Sequence, residues 1–479
     1  MESLEHALPK QGTRMSTFKN GPRRPSSSSR SADRPTTRSI RPAADNLGAP
    51  IPKGPRSGNT RRMMFNVDGQ PQKVFHETVC RVLDQCQSCP MLDLDYRDQL
   101  VIKTNDFRKK LSDSGLTGNH VIAECSPSPD RLGYRHSAKL VVTDKFAHPD
   151  KRYINIGLYK PGTHFVIDVG ECPIQQDRLN KILSWLRTAI REQNISVFDE
   201  RSKQGLLRYI TLRTAYKTKE TLVTLVVTAD DKLKLRPFAR QLKERFGFIA
   251  GVLMHVNDSS GNAIFQNSND VESNDVAVSG QTTLLAGEDC LRDSVANLQM
   301  RISATSFFQI NPAVAERAYF RMMEWLSPQP GENALDLYCG VGSLALLMAK
   351  AGCKVTAIEE TPSSIADAHE NALINSLQHI KFHAGRAETV LPQLESNGTL
   401  NKVDVMTVNP SRRGCQPEVL KALAALKPRA LAYMSCNPDT LIRDLRQLEQ
   451  LGYQARAFEL YDMFPGSRHY EVVTLLTPV

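Results

Sequence analysis

The C-terminal part of the chain alternates short apolar runs with segments of helical periodicity. Between Trp325 and Val479 the two patterns follow one another as strand, helix, strand and helix. This alternation is typical of parallel strands, because each crossover helix returns the chain to the same end of the sheet. The pattern therefore predicts a doubly wound, Rossmann-like α/β domain, which we place at residues 295–479.

A β-rich pattern precedes this domain, and basic residues lie along its predicted strands. The strands are Ser137–Thr143, Ile154–Tyr159, His164–Asp168, Leu207–Arg213 and Thr221–Thr228, with a helix at Leu179–Gln193. These runs predict a separate antiparallel domain within residues 73–294, with polar turns at 257–283. Its basic strand residues either form a surface for nucleic acid or are ordinary solvated positions. A further amphipathic helix, Tyr96–Leu111, is expected to pack on the catalytic domain.

Charge is concentrated at the N-terminus. Residues 1–70 hold 13 Lys and Arg against 5 Asp and Glu, a net charge of +8 out of +10 for the chain. This segment is rich in Pro, Ser, Thr and Arg, so it predicts a disordered basic arm over residues 1–72. The arm either attracts phosphates or only improves solubility. Without a run of about 18 apolar residues or a signal-peptide core, we expect a soluble, cytoplasmic protein with no membrane partner.

Three of the ten cysteines form a cluster with the spacing C-x5-C-x2-C, at Cys80, Cys86 and Cys89. Three thiolates this close can hold one metal centre, and either Cys125 or Cys172 can supply a fourth ligand. Cys172 precedes a proline, as is common at iron–sulfur ligands. Structural zinc is the rival, although zinc usually takes two pairs of ligands.

A glycine turn follows the apolar run that opens the C-terminal domain. Gly340 and Gly342 precede an Ala- and Leu-rich helix, and the next predicted strand ends at Glu359. An acidic residue roughly 20 positions after the glycines is placed to accept hydrogen bonds from ribose hydroxyls. Tyr338 and Cys339 stand in place of further glycines, which argues against a pyrophosphate cradle. This loop suits S-adenosylmethionine better than NAD.

Further motifs fall at predicted strand ends or loops, where ligands bind in open α/β sheets. They are Ser306–Pro312, Val405–Gly414, Leu431–Pro438 and Asp462–Glu471. The third places Cys436 on a polar Ser-Cys-Asn turn. A cysteine after a strand is usually inert packing, but this setting favours a nucleophile.

In this order the motifs resemble those of S-adenosylmethionine-dependent RNA uracil-C5 methyltransferases. The resemblance runs from the cysteine triplet to Val479 and includes Ser-Phe-Phe-Gln-x-Asn-Pro, Asp-Leu-Tyr-Cys-Gly-Val-Gly, Asn-Pro-Ser-Arg-Arg-Gly, Ser-Cys-Asn-Pro and Asp-Met-Phe-Pro before His-Tyr-Glu. The chain is most similar to the branch that acts on 23S ribosomal RNA, because Asn409 precedes Pro410 where relatives have Asp. Ser411 departs from the family, which usually has a second proline there.

The resemblance implies the role of each site residue. It implies a 4Fe–4S cluster on Cys80, Cys86, Cys89 and Cys172, cofactor contacts from Gln309, Tyr338, Glu359 and Asn409, Cys436 as nucleophile, and Glu471 as base. The expected reaction is methylation of C5 of a specific uridine in 23S ribosomal RNA by a monomeric enzyme. A uridine in tRNA or elsewhere in rRNA is the alternative.

Two rival classes remain on the residues alone. A methyltransferase for small molecules or DNA bases shares the nucleoside loop but leaves the Cys436 and Glu471 pair unexplained. A catalytically silent RNA-binding factor is disfavoured by the presence of this pair together with the cofactor motifs.

Overall fold

The structure is a computed structural model that describes residues 62–65, 71–74, 79–117, 121–148, 151–259, 264–265, 280–400 and 402–479. The chain divides into two compact units, Met1–Phe75 and His76–Val479. In the first, strands β1 (Arg62–Phe65) and β2 (Pro71–Val74) pair in antiparallel fashion. The predicted disordered arm otherwise lies outside the described residues.

The larger unit contains the other strands and the helices. The helices are α1 (Leu83–Cys86), α2 (Tyr96–Ser114), α3 (Asp177–Glu192), α4 (Lys232–Arg245), α5 (Pro312–Leu326), α6 (Ser343–Lys350), α7 (Pro362–Ile374), α8 (Ala387–Ser396), α9 (Pro417–Ala425) and α10 (Pro438–Gln450). The strands are β3 (Val121–Ile122), β4 (Ser137–His148), β5 (Lys151–Tyr159), β6 (Val166–Asp168), β7 (Leu207–Thr214), β8 (Thr221–Val227), β9 (Ile249–Val256), β10 (Thr282–Gly287), β11 (Cys290–Val295), β12 (Leu298–Ser303), β13 (Asn333–Leu337), β14 (Lys354–Glu359), β15 (Ile380–Ala384), β16 (Val405–Val408), β17 (Ala430–Ser435), β18 (Tyr453–Tyr461) and β19 (Glu471–Pro478).

The predicted β-rich region forms a seven-stranded sheet in the order β10-β9-β8-β7-β4-β5-β6. Apolar side chains from one face of the sheet pack with α3 and α4 in a shared core. The sheet is not fully antiparallel as expected, because α4 crosses over between β8 and β9 and leaves these two strands parallel. Most of the polar segment 257–283 lies outside the described residues.

The predicted α/β region forms an eight-stranded sheet in the order β15-β14-β13-β16-β17-β19-β18-β3. Helices α5, α6 and α7 contribute to the core on one face, and α2, α8, α9 and α10 contribute to the core on the other. The expectation of a purely parallel sheet is wrong, because β19 returns from β18 through a hairpin and lies antiparallel to both β17 and β18. The sheet is mixed: β13 to β17 are parallel, β3 pairs in parallel with β18, and β19 runs in the opposite direction between β17 and β18.

Two features connect the regions of the larger unit. The β11–β12 hairpin spans the predicted boundary between residues 294 and 295. Helix α2 packs on the eight-stranded sheet, where Phe107 meets Phe458 with ring centroids 5.3 Å apart. In the part of the chain that the structure describes, no helix is long and apolar enough to cross a membrane.

Candidate active site

Asp336, near the end of β13, ties together the elements around the glycine turn. Its carboxylate accepts hydrogen bonds from Thr407 Oγ1 at 2.7 Å and from the Ala345 amide at 2.9 Å. Burial raises the pKa of Asp336 to about 7, and the two hydrogen bonds oppose that rise. The Asp336 side chain therefore joins β13, β16 and the first turn of α6.

The turn itself leaves room for a ligand. Gly340 has φ +55°, and a Cβ added there would lie 4.0 Å from its nearest neighbour, the Phe307 carbonyl oxygen. The Glu359 carboxylate accepts hydrogen bonds from the Gly340 amide at 3.1 Å and the Thr361 amide at 2.9 Å. Each carboxylate oxygen keeps a further lone pair, so Glu359 can also accept hydroxyl donors of a bound nucleoside.

The other residues proposed to bind the cofactor come from neighbouring loops. Tyr338 follows β13 with φ +61°, a conformation that non-glycine residues adopt rarely and that often occurs at functional sites. Asn409 follows β16, and its backbone amide donates to the Leu337 carbonyl at 3.3 Å. Gln309 precedes α5, is 8% exposed, and lowers the pKa of the Tyr319 hydroxyl against the effect of burial.

Cys436 and Glu471 meet at the ends of two adjacent strands. Ser435, the last residue of β17, pairs with Val472 of β19. Cys436 follows Ser435 and Glu471 precedes Val472, so these two residues are neighbours across the strand pair. Burial raises the pKa of the Cys436 thiol to about 11, with a further contribution from the Glu471 carboxylate. Cys436 also lies one residue before the N-cap of α10, where the helix dipole favours a thiolate.

Glu471 has the environment of a general base. It is 3% exposed, and burial raises its pKa to about 8, while Arg412 opposes the rise. Among the described residues no group hydrogen-bonds its Oε2 atom. A carboxyl group with a pKa near neutrality and a free oxygen can accept a proton from a substrate carbon placed beside it.

Arg412 is a functional candidate that the sequence reasoning missed. It lies on the loop after β16, and its carbonyl accepts hydrogen bonds from Asn437 Nδ2 at 3.0 Å and Thr440 Oγ1 at 3.3 Å. These bonds hold the loop against the start of α10. Its guanidinium lowers the pKa of both Cys436 and Glu471, against the effect of burial. The only signal in the sequence was the pair of arginines in the Asn-Pro-Ser-Arg-Arg-Gly motif.

Tyr319 of α5 lies near both Glu471 and Asp336. Burial raises the pKa of this tyrosine, and the charges of Glu471 and Asp336 raise it further. At the rim, Phe307 exposes 63% of its surface beside the open side of Gly340. An aromatic ring in that position can stack on an unpaired nucleobase.

The predicted cysteine ligands come together away from this site. Burial raises the pKa of Cys89 to about 12, and the nearby thiols of Cys172, Cys86 and Cys80 raise it further. Cys125 lies elsewhere, buried near Asp462. The tertiary structure therefore brings Cys172, and not Cys125, to the triplet.

Burial raises the pKa of the Cys172 and Cys80 thiols, and nearby backbone amides oppose the rise. These amides are those of Ile174 and Gln175 for the pKa of Cys172 and that of Val82 for the pKa of Cys80. A cavity of about 500 Å³ adjoins Cys80 and Cys172. Within the described ranges, however, no three Cys, His, Asp or Glu side chains are arranged around a common point as metal ligands. The four thiols are neighbours in one part of the fold.

Comparison with known proteins adds independent findings. The family described as tRNA (Uracil-5-)-methyltransferase matches residues 276–479. An uncharacterized RNA methyltransferase of Geobacter sulfurreducens is 31% identical over 83% of this chain and 76% of that protein. Another, from Gloeobacter violaceus, is 32% identical over 86% of this chain and 84% of its own length.

A solved structure shares the fold. It is the tRNA (uracil-54, C5)-methyltransferase of Pyrococcus abyssi in complex with S-adenosyl-L-homocysteine, with a TM-score of 0.63 and 24% identity. The likeness covers 85% of this chain and 88% of that one, so it extends beyond the C-terminal domain.

Proposed function

We propose that this chain transfers a methyl group from S-adenosylmethionine to C5 of a uridine in RNA. The proposal starts from its family, because the chain belongs to the RNA uracil-C5 methyltransferases. The observation that carries the proposal is the placement of Cys436 beside Glu471 at the paired ends of β17 and β19. A thiol and a carboxyl group side by side supply the nucleophile and the base that this reaction requires.

The chemistry follows from the weak nucleophilicity of uracil C5. The Cys436 thiolate adds to C6, which forms an S–C6 bond and moves electrons into an enolate at C4 and O4. C5 then attacks the methyl group, and the electrons of the broken methyl–sulfur bond stay on the departing sulfur. Glu471 removes the C5 proton, the C5–C6 double bond re-forms, and the thiolate leaves.

The charges around Cys436 support this order of events. At rest, burial and Glu471 keep the thiol protonated, while Arg412 and the start of α10 stabilise its thiolate. The same guanidinium lowers the pKa of Glu471, so the carboxylate is available for the later proton transfer. We propose that Arg412 serves both steps.

The residues around the glycine turn fit S-adenosylmethionine, which supplies an electrophilic methyl group when bound. Gly340 leaves open space, and Glu359 has lone pairs free for ribose hydroxyls. Tyr338, Gln309 and Asn409 lie on adjoining loops at the carboxyl end of the sheet, where ligands of such folds bind. We propose these four side chains as cofactor contacts.

We propose a uridine in 23S ribosomal RNA as the target, on the strength of the sequence Asn409–Pro410. A tRNA uridine or another rRNA position is the alternative. Mapping 5-methyluridine by mass spectrometry in both RNA classes, from cells with and without this protein, decides between them. A modification that disappears from tRNA alone would assign the alternative.

We also propose that Cys80, Cys86, Cys89 and Cys172 hold a 4Fe–4S cluster. The mutual proximity of the thiols, the backbone amides that lower the pKa of two of them and the adjoining cavity fit such a group. These cysteines would serve as its ligands, and the methyl transfer does not require electron transfer from it.

The catalytic assignment is tested by two variants that fail differently. Cys436→Ala cannot activate C5, so it forms neither product nor a covalent protein–RNA species. Glu471→Gln can form the methylated adduct but cannot remove the C5 proton, so the adduct accumulates. Denaturing electrophoresis with substrate RNA and S-adenosylmethionine distinguishes the two. Equal adduct in both variants, or full activity in either, contradicts the assigned roles.

A further inference from the structure

A buried ion pair joins α2 to the loop that precedes Glu471. We call residues Asp462–Tyr470, between β18 and β19, the base loop. Lys103 Nζ lies 2.5 Å from Asp462 Oδ1 and donates to the Phe464 carbonyl at 3.1 Å. The two charged side chains are 1% and 0% exposed. Apolar residues often replace a buried ion pair without loss of stability, so stability alone does not account for this pair.

The same face of α2 contacts the base loop at two more points. Gln99 Oε1 accepts a hydrogen bond from the Gly466 amide at 2.8 Å. The Tyr470 hydroxyl donates to Asp106 Oδ2 at 2.6 Å. Since Gln99, Lys103 and Asp106 follow one another at helical spacing, a single helix face holds the loop near its start, middle and end.

Residues outside α2 hold the loop from its other side. The Met91 amide donates to the Gly466 carbonyl at 2.8 Å, and the Tyr134 hydroxyl donates to the Pro465 carbonyl at 3.1 Å. Leu92 Cδ1 is 2.8 Å from the place where a Cβ on Gly466 would lie. The loop is therefore enclosed, and its backbone has little freedom to shift.

Glu471 depends on this support because its own side chain lacks a second anchor. No described group hydrogen-bonds its Oε2 atom, and the residue directly follows Tyr470. Glu471 is the first residue of β19 and pairs with Tyr461 of β18, so the position of its carboxylate depends on that strand and on the base loop directly before it. Cys436 and the glycine turn are carried by β17 and by β13 with α6, and neither directly follows the base loop.

We propose that Gln99, Lys103 and Asp106 of α2 are positioning residues for Glu471, and that they act at removal of the C5 proton and not at methyl transfer. This inference rests on the proposed function. A proton transfer is sensitive to small displacements of the base, and a misplacement of about 1 Å can reduce a rate roughly a hundredfold. Variants that loosen the base loop should therefore resemble a weak form of Glu471→Gln.

The experiment follows a single turnover with methyl-labelled S-adenosylmethionine and substrate RNA. Two quantities are measured, the total label on RNA and the fraction of that label in the covalent adduct. The informative variants are Tyr470→Phe, which removes one hydroxyl, and Lys103→Met combined with Asp462→Leu, which removes both buried charges. The matched control is Lys109→Met, which changes an exposed lysine on the same helix that pairs with Asp113 of that helix.

For both loop variants we expect methyl transfer within about threefold of wild type and an adduct that persists at least about tenfold longer. Lys109→Met should behave as wild type. The positioning role is overturned if the loop variants lose methyl transfer and adduct to the same extent. It is also overturned if Tyr470→Phe turns over at the wild-type rate. If the double variant does not fold, as thermal unfolding will show, Tyr470→Phe still decides the matter. Absence of adduct in Glu471→Gln overturns the proposed function itself, so the two failures are distinguishable.

Discussion

The two large sheets place their charges in opposite ways. On the seven-stranded sheet, burial lowers the pKa of Lys139 on β4, and the neighbouring cations Arg213 and Arg135 lower it further. On the eight-stranded sheet, burial raises the pKa of carboxyl groups at the strand ends, at Asp336 and Glu471. One sheet thus gathers cations along a strand face, and the other gathers acids where its strands end.

The contrast indicates a division of labour. Cations held near one another favour an anionic partner, and the centre of the Phe265 ring lies 5.1 Å from Lys139 Nζ. Buried acids with raised pKa values favour proton transfer. We propose that the seven-stranded sheet holds an RNA backbone and that the eight-stranded sheet modifies the base. Arg213 of β7 connects the seven-stranded sheet to the segment before Phe307, because its guanidinium donates hydrogen bonds to the carbonyls of Ser303 and Ser306.

The largest expected effect concerns the cysteine site beside the seven-stranded sheet. Protein purified without oxygen should carry about four irons and absorb visible light. Cys89→Ser and Cys172→Ser should lose the iron but keep binding S-adenosylhomocysteine, because the glycine turn belongs to the eight-stranded sheet. Cys125→Ser is the matched control and should retain the iron. Stoichiometric zinc without iron, or loss of iron from the Cys125 variant, contradicts the assignment.

An intermediate effect is expected from Arg412→Leu in the catalytic sheet. Arg412 lowers the pKa of Cys436 and Glu471, so its removal should raise both pKa values. The reaction uses both groups in their deprotonated forms, and the deprotonated fraction below the pKa falls tenfold for each unit of increase. We therefore expect kcat/KM at pH 7 to fall about 10- to 100-fold. The rise of the pH–rate profile should move to higher pH.

The control for this variant is Arg413→Leu, which removes the adjacent exposed guanidinium from the same loop. It should leave the pH profile in place. An unchanged profile in Arg412→Leu, or an equal shift in both variants, would show that Arg412 does not act on the ionisation of the pair.

The smallest effect is expected from single cations of the seven-stranded sheet. Lys139→Ala should weaken RNA binding by a few-fold and reduce the slope of log K against log salt by about 0.9, as for one lost phosphate contact. Turnover at saturating RNA should change little. Lys234→Ala, on α4 at the opposite face, should leave the slope unchanged. Affinity measured across a salt series tests both, and equal slopes in the two variants would place the RNA elsewhere.

Local patterns in the sequence determined the elements and several candidate residues. Strand and helix periodicity predicted the alternating elements between Trp325 and Val479, and the spacing from the glycines singled out Glu359. The resemblance to the methyltransferase family implied the roles of Cys436 and Glu471. Such patterns are readable because the period of apolar residues and the chemistry of a turn depend on residues close together in the chain.

The tertiary structure decided what depends on contacts between distant segments. Residues 359 positions apart form the Lys103–Asp462 pair, and a crossover helix makes β8 and β9 parallel within a sheet expected to be antiparallel. The sequence left Cys125 and Cys172 open as partners of the cysteine triplet, and only the fold places Cys172 there. In the sequence, Arg412 was recognisable only as one residue of the Asn-Pro-Ser-Arg-Arg-Gly motif. Its effect on Cys436 and Glu471 arises because the fold brings the loop after β16 to the paired ends of β17 and β19, where the Glu471 carboxyl group is buried and interacts strongly with nearby charges.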